Sequence, residues 1–399
     1  MEINRPALFI EINEKNYNFV AGINDENQNF KVIEKITTLS EGIEKNKFIN
    51  IDQASESIKK SISIIEKKIN YIFKNVTIIV ENFDYLCINL SGFKRLNGSQ
   101  VLKENISYIL NSLKLAVSEN EKQNNIVHIF NSKSILDGTH VENLPIGLFG
   151  DFYSHELTFF LINNNDLNNI HKIFNKNNLN VNKVILKHFG EGAQLINQNK
   201  EIGAFFKIKI KEDAININFF DKDSFIYSER LNFGTNIIFK DIQKICSLDN
   251  DKIGSFLSDN YLNKKDFNEN DLLEEHYFKK GNFRKIRKKL ISDIAEARIN
   301  ETVDIIFNKN INIKSFKENK IKIYLTIQDK KILNFFKKSF YSYFSKDNVL
   351  DIYFIDEFET EESIINIANL SIYGWRKEAI PTSKPKNSLI TRIFKSLFD

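Results

Sequence analysis

The chain contains the same order of predicted elements twice, and this duplication constrains its fold more than any other feature. Apolar alternation and tight polar turns predict three strands within residues 7–38 and three more within residues 202–231. Amphipathic helices and further apolar strands follow each run, including strands at 76–80 and 321–325. Two successive units of this kind predict an internally duplicated α/β protein.

A smaller unit interrupts the first half of the chain, from about Asn82 to Ile162. It contains predicted strands at Tyr85–Leu90, Asn125–Phe130 and His155–Leu161, and a helix that we expect to open at Ser99. The order of these elements differs from that of the repeated units. We therefore predict a small α+β subdomain inserted into the first half.

Composition excludes several classes of protein. The 399 residues are 42% hydrophobic and 27% charged, as expected for a globular chain of one or two domains. The net charge of +4 is spread over all segments, which argues against nucleic-acid binding. No apolar run approaches ~18 residues and the start lacks a signal-peptide layout, so a cytosolic location is expected. Cys87 and Cys246 lie in apolar sequence, which predicts buried thiols in a reducing compartment.

The C-terminal segment changes character at Pro381. Residues 381–387 are rich in Pro, Ser, Asn and Lys, which predicts a tether, and residues 388–399 have the spacing of an amphipathic helix. Its apolar face comprises Leu389, Ile390, Ile393, Phe394, Leu397 and Phe398, and its cations are Arg392 and Lys395. This helix either packs back on its own domain or lies in a membrane interface with its cations near anionic headgroups. The tether favours the membrane interpretation.

Several short motifs resemble one family in order and spacing. They are Pro145-Ile146-Gly147-Leu148-Phe149-Gly150, Gly234-Thr235 with Asp241-Ile242, the helix Leu290–Arg298, and Leu325-Thr326. Together with the tethered amphipathic tail, they resemble the bacterial actin-like cell division protein FtsA. The resemblance covers most of the chain and implies an actin-like α/β (duplicated ribonuclease H-like) fold with an SHS2-like inserted subdomain.

The resemblance also implies domain boundaries. They are 1–81 for the first part of half 1, 82–162 for the inserted subdomain, 163–195 for the return to half 1, 196–355 for half 2 (with a smaller subdomain at about 226–318), 356–380 for a closing helix, 381–387 for the tether and 388–399 for the membrane-targeting helix.

This chain departs from the family at the ATP site. Family members cradle ATP and Mg²⁺ with glycine clusters, because backbone N–H groups must approach phosphate closely. The corresponding positions here hold Asn13, Glu14, Lys209, Glu212 and Ile327. We therefore expect the protein to bind no cofactor and no metal and to have no catalytic residue. Such a protein would be a pseudo-ATPase. Lys209 is interpreted either as an anion contact or, more simply, as a solvated strand residue.

The family resemblance implies partners as well. In the family, the subdomain of the long helix receives the C-terminal tail of the tubulin-like FtsZ, which points here to Lys288, Lys289, Arg298 and Glu301. The residues alone are equally compatible with a solvated basic helix face. The implied function is a divisome adaptor at the cytoplasmic face of the cell membrane at the division site. It would bind FtsZ, an anionic membrane surface, later division proteins and further copies of itself, and no nucleic acid.

Two other functions remain open from the sequence. One is an actin-like cytoplasmic scaffold of a type IV pilus or secretion machine, and the other is a phosphotransferase of the sugar-kinase and actin superfamily. Gly190-Glu191-Gly192 is interpreted as a turn and the run Glu357, Glu359, Glu361 and Glu362 as a solvated helix entry. The six histidines lack metal-ligand spacing.

Overall fold

The described residues of the computed structural model fall into two compact units. They are residues 5–25, 29–199, 201–262, 267–268, 270–278, 284–316, 321–344 and 351–379. Unit 1 contains the described residues of Met1–Ile202, Asp221–Tyr227 and Phe358–Asp399. Unit 2 contains those of Gly203–Phe220 and Ser228–Glu357.

A five-stranded sheet forms the centre of unit 1. Its strands are β1 (Ala7–Ile12), β2 (Asn16–Asn24), β3 (Phe30–Leu39), β6 (Asn75–Val80) and β11 (Asn180–Leu186), in the order β11-β6-β1-β2-β3. The first three strands pair antiparallel, and β6 and β11 run parallel to β1. Helix α1 (Ile51–Ile69) follows a short hairpin of β4 (Ile43–Glu44) and β5 (Lys47–Phe48). It buries the predicted apolar row that includes Ile58 and Ile65.

An antiparallel four-stranded sheet occupies the interrupting segment. Its strands are β7 (Tyr85–Arg95), β8 (Asn124–Leu136), β9 (Thr139–Val141) and β10 (Phe152–Asn163), in the order β7-β10-β8-β9. Helix α2 (Lys103–Asn120) packs on this sheet through a core that contains Val117, Ile129 and Leu157. The strands are longer than predicted because they continue through residues that are partly buried or exposed, which the apolar runs alone do not mark.

Three further helices belong to unit 1, and one of them corrects a prediction. They are α3 (Asn164–Asn175), α4 (Lys187–Gln198) and α10 (Thr360–Tyr373). Gly190-Glu191-Gly192 lies inside α4, so its interpretation as a turn is wrong. A Cβ at Gly190 would lie 2.2 Å from Cγ1 of Ile367 on α10, and glycine permits this close helix contact. The motif therefore reflects helix packing.

Unit 2 repeats the strand order of unit 1. Its sheet runs β14-β13-β12-β15-β16, from β12 (Phe205–Ile210), β13 (Ile215–Asp221), β14 (Ser224–Leu231), β15 (Lys322–Ile327) and β16 (Ile352–Phe354). As in the first sheet, a three-stranded run is extended by two strands parallel to its first member. The predicted duplication is confirmed.

The helices of unit 2 extend the sequence predictions. They are α5 (Asn236–Cys246), α6 (Asn250–Leu262), α7 (Lys288–Asp304), α8 (Ile311–Phe316) and α9 (Leu333–Phe344). Helix α7 is the predicted long helix and contains the segment Leu290–Arg298. Cys246 is buried, which raises the pKa of its thiol, whereas Cys87 is only half-buried, contrary to expectation. Within the described part of the chain, every helix is too short or too polar to cross a bilayer.

Candidate functional site

The carboxyl ends of the three parallel strands of unit 1 bring three charged side chains together. Glu11 lies near the end of β1, Glu81 directly follows β6, and Lys187 directly follows β11 and begins α4. In open α/β sheets this edge is where ligands bind. The sequence analysis did not single out any of the three residues in this role.

These three side chains form a buried ion-pair cluster. The Lys187 Nζ atom donates to Glu11 Oε1 at 2.8 Å and lies 3.5 Å from Glu81 Oε2. The Lys187 and Glu11 side chains are only 5% and 1% exposed. Burial raises the pKa of Glu11, and the neighbouring Glu81 carboxylate adds to this, while the Lys187 charge opposes it. A buried cation thus occupies the ligand-binding edge of the sheet.

The turn after β1 is closed by its own side chains. The Asn13 Oδ1 atom accepts from the backbone N–H groups of Lys15 (3.0 Å) and Asn16 (2.9 Å), and Asn13 Nδ2 donates to Glu11 Oε1 at 3.2 Å. The Glu14 carboxylate accepts from the N–H of Lys45 at 3.0 Å. These bonds use N–H groups that a phosphate-binding turn would direct at its ligand.

The turn between β12 and β13 in unit 2 is also occupied by protein groups. The Thr235 and Asn236 N–H groups, at the start of α5, donate to the carbonyl oxygens of Lys211 and Glu212 at 2.9 Å each. A Cβ at Gly234 would lie 2.1 Å from the Lys211 carbonyl oxygen, so glycine is needed for this contact. The helix terminus that could hold an anion instead donates to the turn.

The burial of Lys209 contradicts its interpretation as a solvated strand residue. Lys209 lies in mid-strand on β12, is 0% exposed, and its ammonium pairs with Glu357. Glu357 is itself exposed, as the solvated interpretation of the carboxylate run expects, and it compensates this buried charge. Ile327, the last residue of β15, is buried beside Ile210 and presents no polar side chain.

The predicted partner-binding residues lie on α7, and Lys288, Arg298 and Glu301 form ion pairs. The Arg298 guanidinium contacts Asp241 on α5, with 2.7 Å between Nε and Oδ2, and also contacts Glu301 one turn along α7. Lys288 pairs with Glu274. The predicted membrane residues, Leu389, Ile390, Arg392, Ile393, Phe394, Lys395, Leu397 and Phe398, lie outside the described residues.

A cavity of about 270 Å³ lies between β8, α3, β11 and α10 in unit 1. His128 and Glu378 line it, with 2.7 Å between His128 Nδ1 and Glu378 Oε1. The His128 Nε2 atom accepts from the N–H of Leu186 at 3.2 Å, which assigns the ring proton to Nδ1. No pattern in the sequence marks this pair, because 250 positions separate its members.

The comparisons with known proteins concern both the sequence and the fold. No protein-family model matches the chain. A structure of the PilM–PilN type IV pilus biogenesis complex matches with a TM-score of 0.54 and 9% identity, covering 92% of this chain and 98% of that chain. With the duplicated sheets, this likeness places the protein in the actin-like α/β class, and the predicted fold class is confirmed.

Within that class the sequence similarity is to FtsA. The cell division protein FtsA of Buchnera aphidicola subsp. Acyrthosiphon pisum is 24% identical over 223 residues, which are 56% of this chain. The match covers 53% of that protein, so the chain spans about half the length of the curated relative it matches. The chain thus combines an actin-like fold with a sequence similarity to FtsA over about half its length.

Proposed function

We propose that this protein is an actin-like division scaffold that links FtsZ filaments to the cytoplasmic face of the cell membrane. The observation that carries the proposal is the sequence similarity to FtsA over 223 residues. The actin-like fold is compatible with it, and the tethered amphipathic sequence at the C-terminus supplies a means of membrane attachment. Its place would be the division site.

The scaffold is proposed to work without nucleotide hydrolysis. Lys187 neutralises the Glu11 and Glu81 carboxylates where a metal-bound phosphate would lie. The Asn13 side chain accepts hydrogen bonds from the N–H groups of the first turn. In unit 2, the start of α5 donates to backbone carbonyls. Each feature removes a donor or a cation site that ATP and Mg²⁺ require.

Membrane attachment is proposed to be weak for one chain and strong for an assembly. Full burial of a side chain such as Ile393 or Phe394 contributes roughly 1.5–3 kcal/mol, and ordering a three-turn helix offsets much of the sum. A single tail should therefore bind reversibly. Self-association would place many tails on one surface and raise the affinity by avidity.

The partner surface is proposed to be the face of α7 that carries Lys288, Lys289, Arg298 and Glu301. Arg298 is one-third exposed, and its guanidinium lies between the carboxylates of Asp241 and Glu301. An acidic peptide would compete with these carboxylates for the same cation. Arg298→Gln should weaken the capture of FtsZ without the like-charge repulsion that a glutamate would add.

Vesicle recruitment tests the proposal directly. The full chain should carry FtsZ into the pellet with anionic phospholipid vesicles, while a truncation before Pro381 should recover at least about tenfold less of both proteins. Phe394→Asp should reproduce the truncation, and Thr391→Ala, on the polar side of the predicted helix, should not. Equal sedimentation of full and truncated chains would refute the membrane attachment, and vesicle binding without FtsZ would refute the division role.

A scaffold of a pilus or secretion machine is the second candidate, favoured by the likeness to the PilM–PilN structure. That likeness concerns the fold, whereas the FtsA match concerns the sequence. A fluorescent fusion separates the two candidates. A ring at mid-cell supports the division scaffold, and foci at the cell poles support the pilus scaffold.

A further inference from the structure

We propose that Lys187 is a built-in substitute for a divalent metal ion, and that Glu11 and Glu81 form a latent cation site which this lysine fills. The ligand class is a hard divalent cation such as Mg²⁺ or Mn²⁺, bound by carboxylate oxygens and water. The inference deepens the proposed function and rests on it in one respect, namely that the protein keeps its conformation without a bound metal-nucleotide complex.

The position of the cluster favours a cation. Glu11 and Glu81 extend from the adjacent parallel strands β1 and β6, and both approach the same ammonium group of Lys187, at 2.8 and 3.5 Å. Both carboxylates are at least nine-tenths buried. A positive charge shared by two buried carboxylates offsets the cost of burying them.

Helix α4 makes the position of Lys187 unusual. The N-terminal end of a helix carries partial positive charge and favours anions, yet α4 begins with this lysine and has no acidic residue in its first turn. The side chain is also 95% buried. The carboxylates contributed by β1 and by the end of β6 compensate for both costs, so the lysine and the carboxylate pair act as one unit.

The Glu11 carboxylate retains coordinating capacity that the lysine does not use. Its Oε2 atom is buried and has no hydrogen-bond partner among the described residues. Such an orphaned oxygen is expensive in a protein interior. A metal ion with attached water could engage both oxygens, which one ammonium on a fixed stem does not.

The test compares Lys187→Ala with Lys187→Met. Both substitutions remove the charge, but only alanine leaves space for a hydrated metal ion, while methionine fills much of the volume. We expect millimolar MnCl₂ to raise the thermal unfolding midpoint of Lys187→Ala by at least ~2 °C. It should leave the wild type, Lys187→Met and the triple variant Glu11→Gln/Glu81→Gln/Lys187→Ala unchanged. Titration calorimetry should find one Mn²⁺ per chain in Lys187→Ala alone.

Several results would overturn the inference. They are an equal response of Lys187→Ala and Lys187→Met, no response of Lys187→Ala, the same response in the triple variant, and failure of Lys187→Ala to fold even with metal added during refolding. Because the experiment contains no nucleotide, FtsZ or lipid, its failure is distinguishable from failure of the proposed function. The latter is read from vesicle recruitment and from ATP titration of the wild type.

Discussion

At the residue scale, Gly190 illustrates how one atom determines helix packing. An ideal Cβ at this position would lie 2.2 Å from Cγ1 and 2.5 Å from Cδ1 of Ile367. The Gly190 carbonyl oxygen also accepts from Asn366 Nδ2 at 2.8 Å. The contact between α4 and α10 therefore depends on the absence of a side chain at this position.

Gly190→Ala should destabilise unit 1 by about 1–3 kcal/mol, because the added methyl group forces the two helices apart. The gain in helix propensity from replacing glycine is smaller, ~1 kcal/mol. Urea unfolding followed by fluorescence measures the change. Trp375 is the only tryptophan of the chain, and its ring lies 6.2 Å from that of Phe189 in α4.

The control is a double-mutant cycle with Ile367→Ala, which removes both clashing atoms. Ile367→Ala alone should destabilise the protein by creating a cavity. In the double variant the alanine methyl group occupies part of that cavity, so the combined loss should be smaller than the sum of the two. Additive losses would show that the close contact is not the reason for the glycine.

At the scale of elements, a short segment after α10 adds to the edge of β8. The Ala379 N–H donates to the Ile129 carbonyl and the Asn131 N–H donates to the Lys377 carbonyl, both at 2.8 Å. Glu378 reaches His128 from the middle of this segment. Burial alone would raise the pKa of Glu378, but the hydrogen bond from His128 and the nearby positive charge of Lys183 outweigh it, so the pKa is lowered.

Glu378→Gln should reduce stability most at neutral pH, by roughly 1–2 kcal/mol. A carboxyl group with a lowered folded-state pKa contributes stability above its unfolded pKa of about 4.3, and this contribution is lost as the pH falls through the folded value. The difference between wild type and variant should therefore shrink below about pH 4.3. Urea unfolding midpoints at a series of pH values measure this change.

The matched control for this prediction is Glu119→Gln, which alters an exposed carboxylate on α2. Its unfolding midpoint should differ from that of the wild type by a small and nearly constant amount across the same pH series. If the gap for Glu378→Gln stayed constant on acidification, the His128 contact would not be a charged interaction.

At the scale of the whole molecule, the two sheets share one strand order but use different residues at their turns. In unit 1 the Asn13 side chain closes the first turn, and in unit 2 the N–H groups at the start of α5 close the corresponding turn. The duplicated strand order therefore does not fix how the corresponding turns are closed.

Calorimetric titration of the wild type with Mg-ATP should give no saturable heat in the micromolar range. The physical reason is that Lys187 already neutralises Glu11 and Glu81, and the turn N–H groups already have acceptors. Titration of Mg²⁺ without nucleotide provides the baseline. A stoichiometric micromolar isotherm with Mg-ATP would contradict the proposed nucleotide independence.

The sequence by itself determined the order of the elements, their duplication and the resemblance to FtsA. Apolar periodicity is a pattern among nearby residues of the chain. It therefore predicts strands such as β1 and β12 and helices such as α1 and α7 without a structure. The absence of glycine clusters around Asn13, Glu212 and Ile327 is likewise read directly from the sequence. Helix α4 was missed because it contains Gly190 and Gly192, and glycine is a poor helix former that favours a turn. The packing of Gly190 against Ile367, 177 positions away, is what explains a glycine there.

Only the tertiary structure decided which charges meet. Lys187 lies 176 positions from Glu11 and 106 from Glu81, and Lys209 lies 148 positions from Glu357. Whether a lysine is solvated or buried in an ion pair depends on segments that fold against it, because the cost of burying a charge is set by its partners. The sequence therefore predicted the absence of glycine-rich phosphate cradles, and the structure showed which charged side chains lie at the edge of the first sheet.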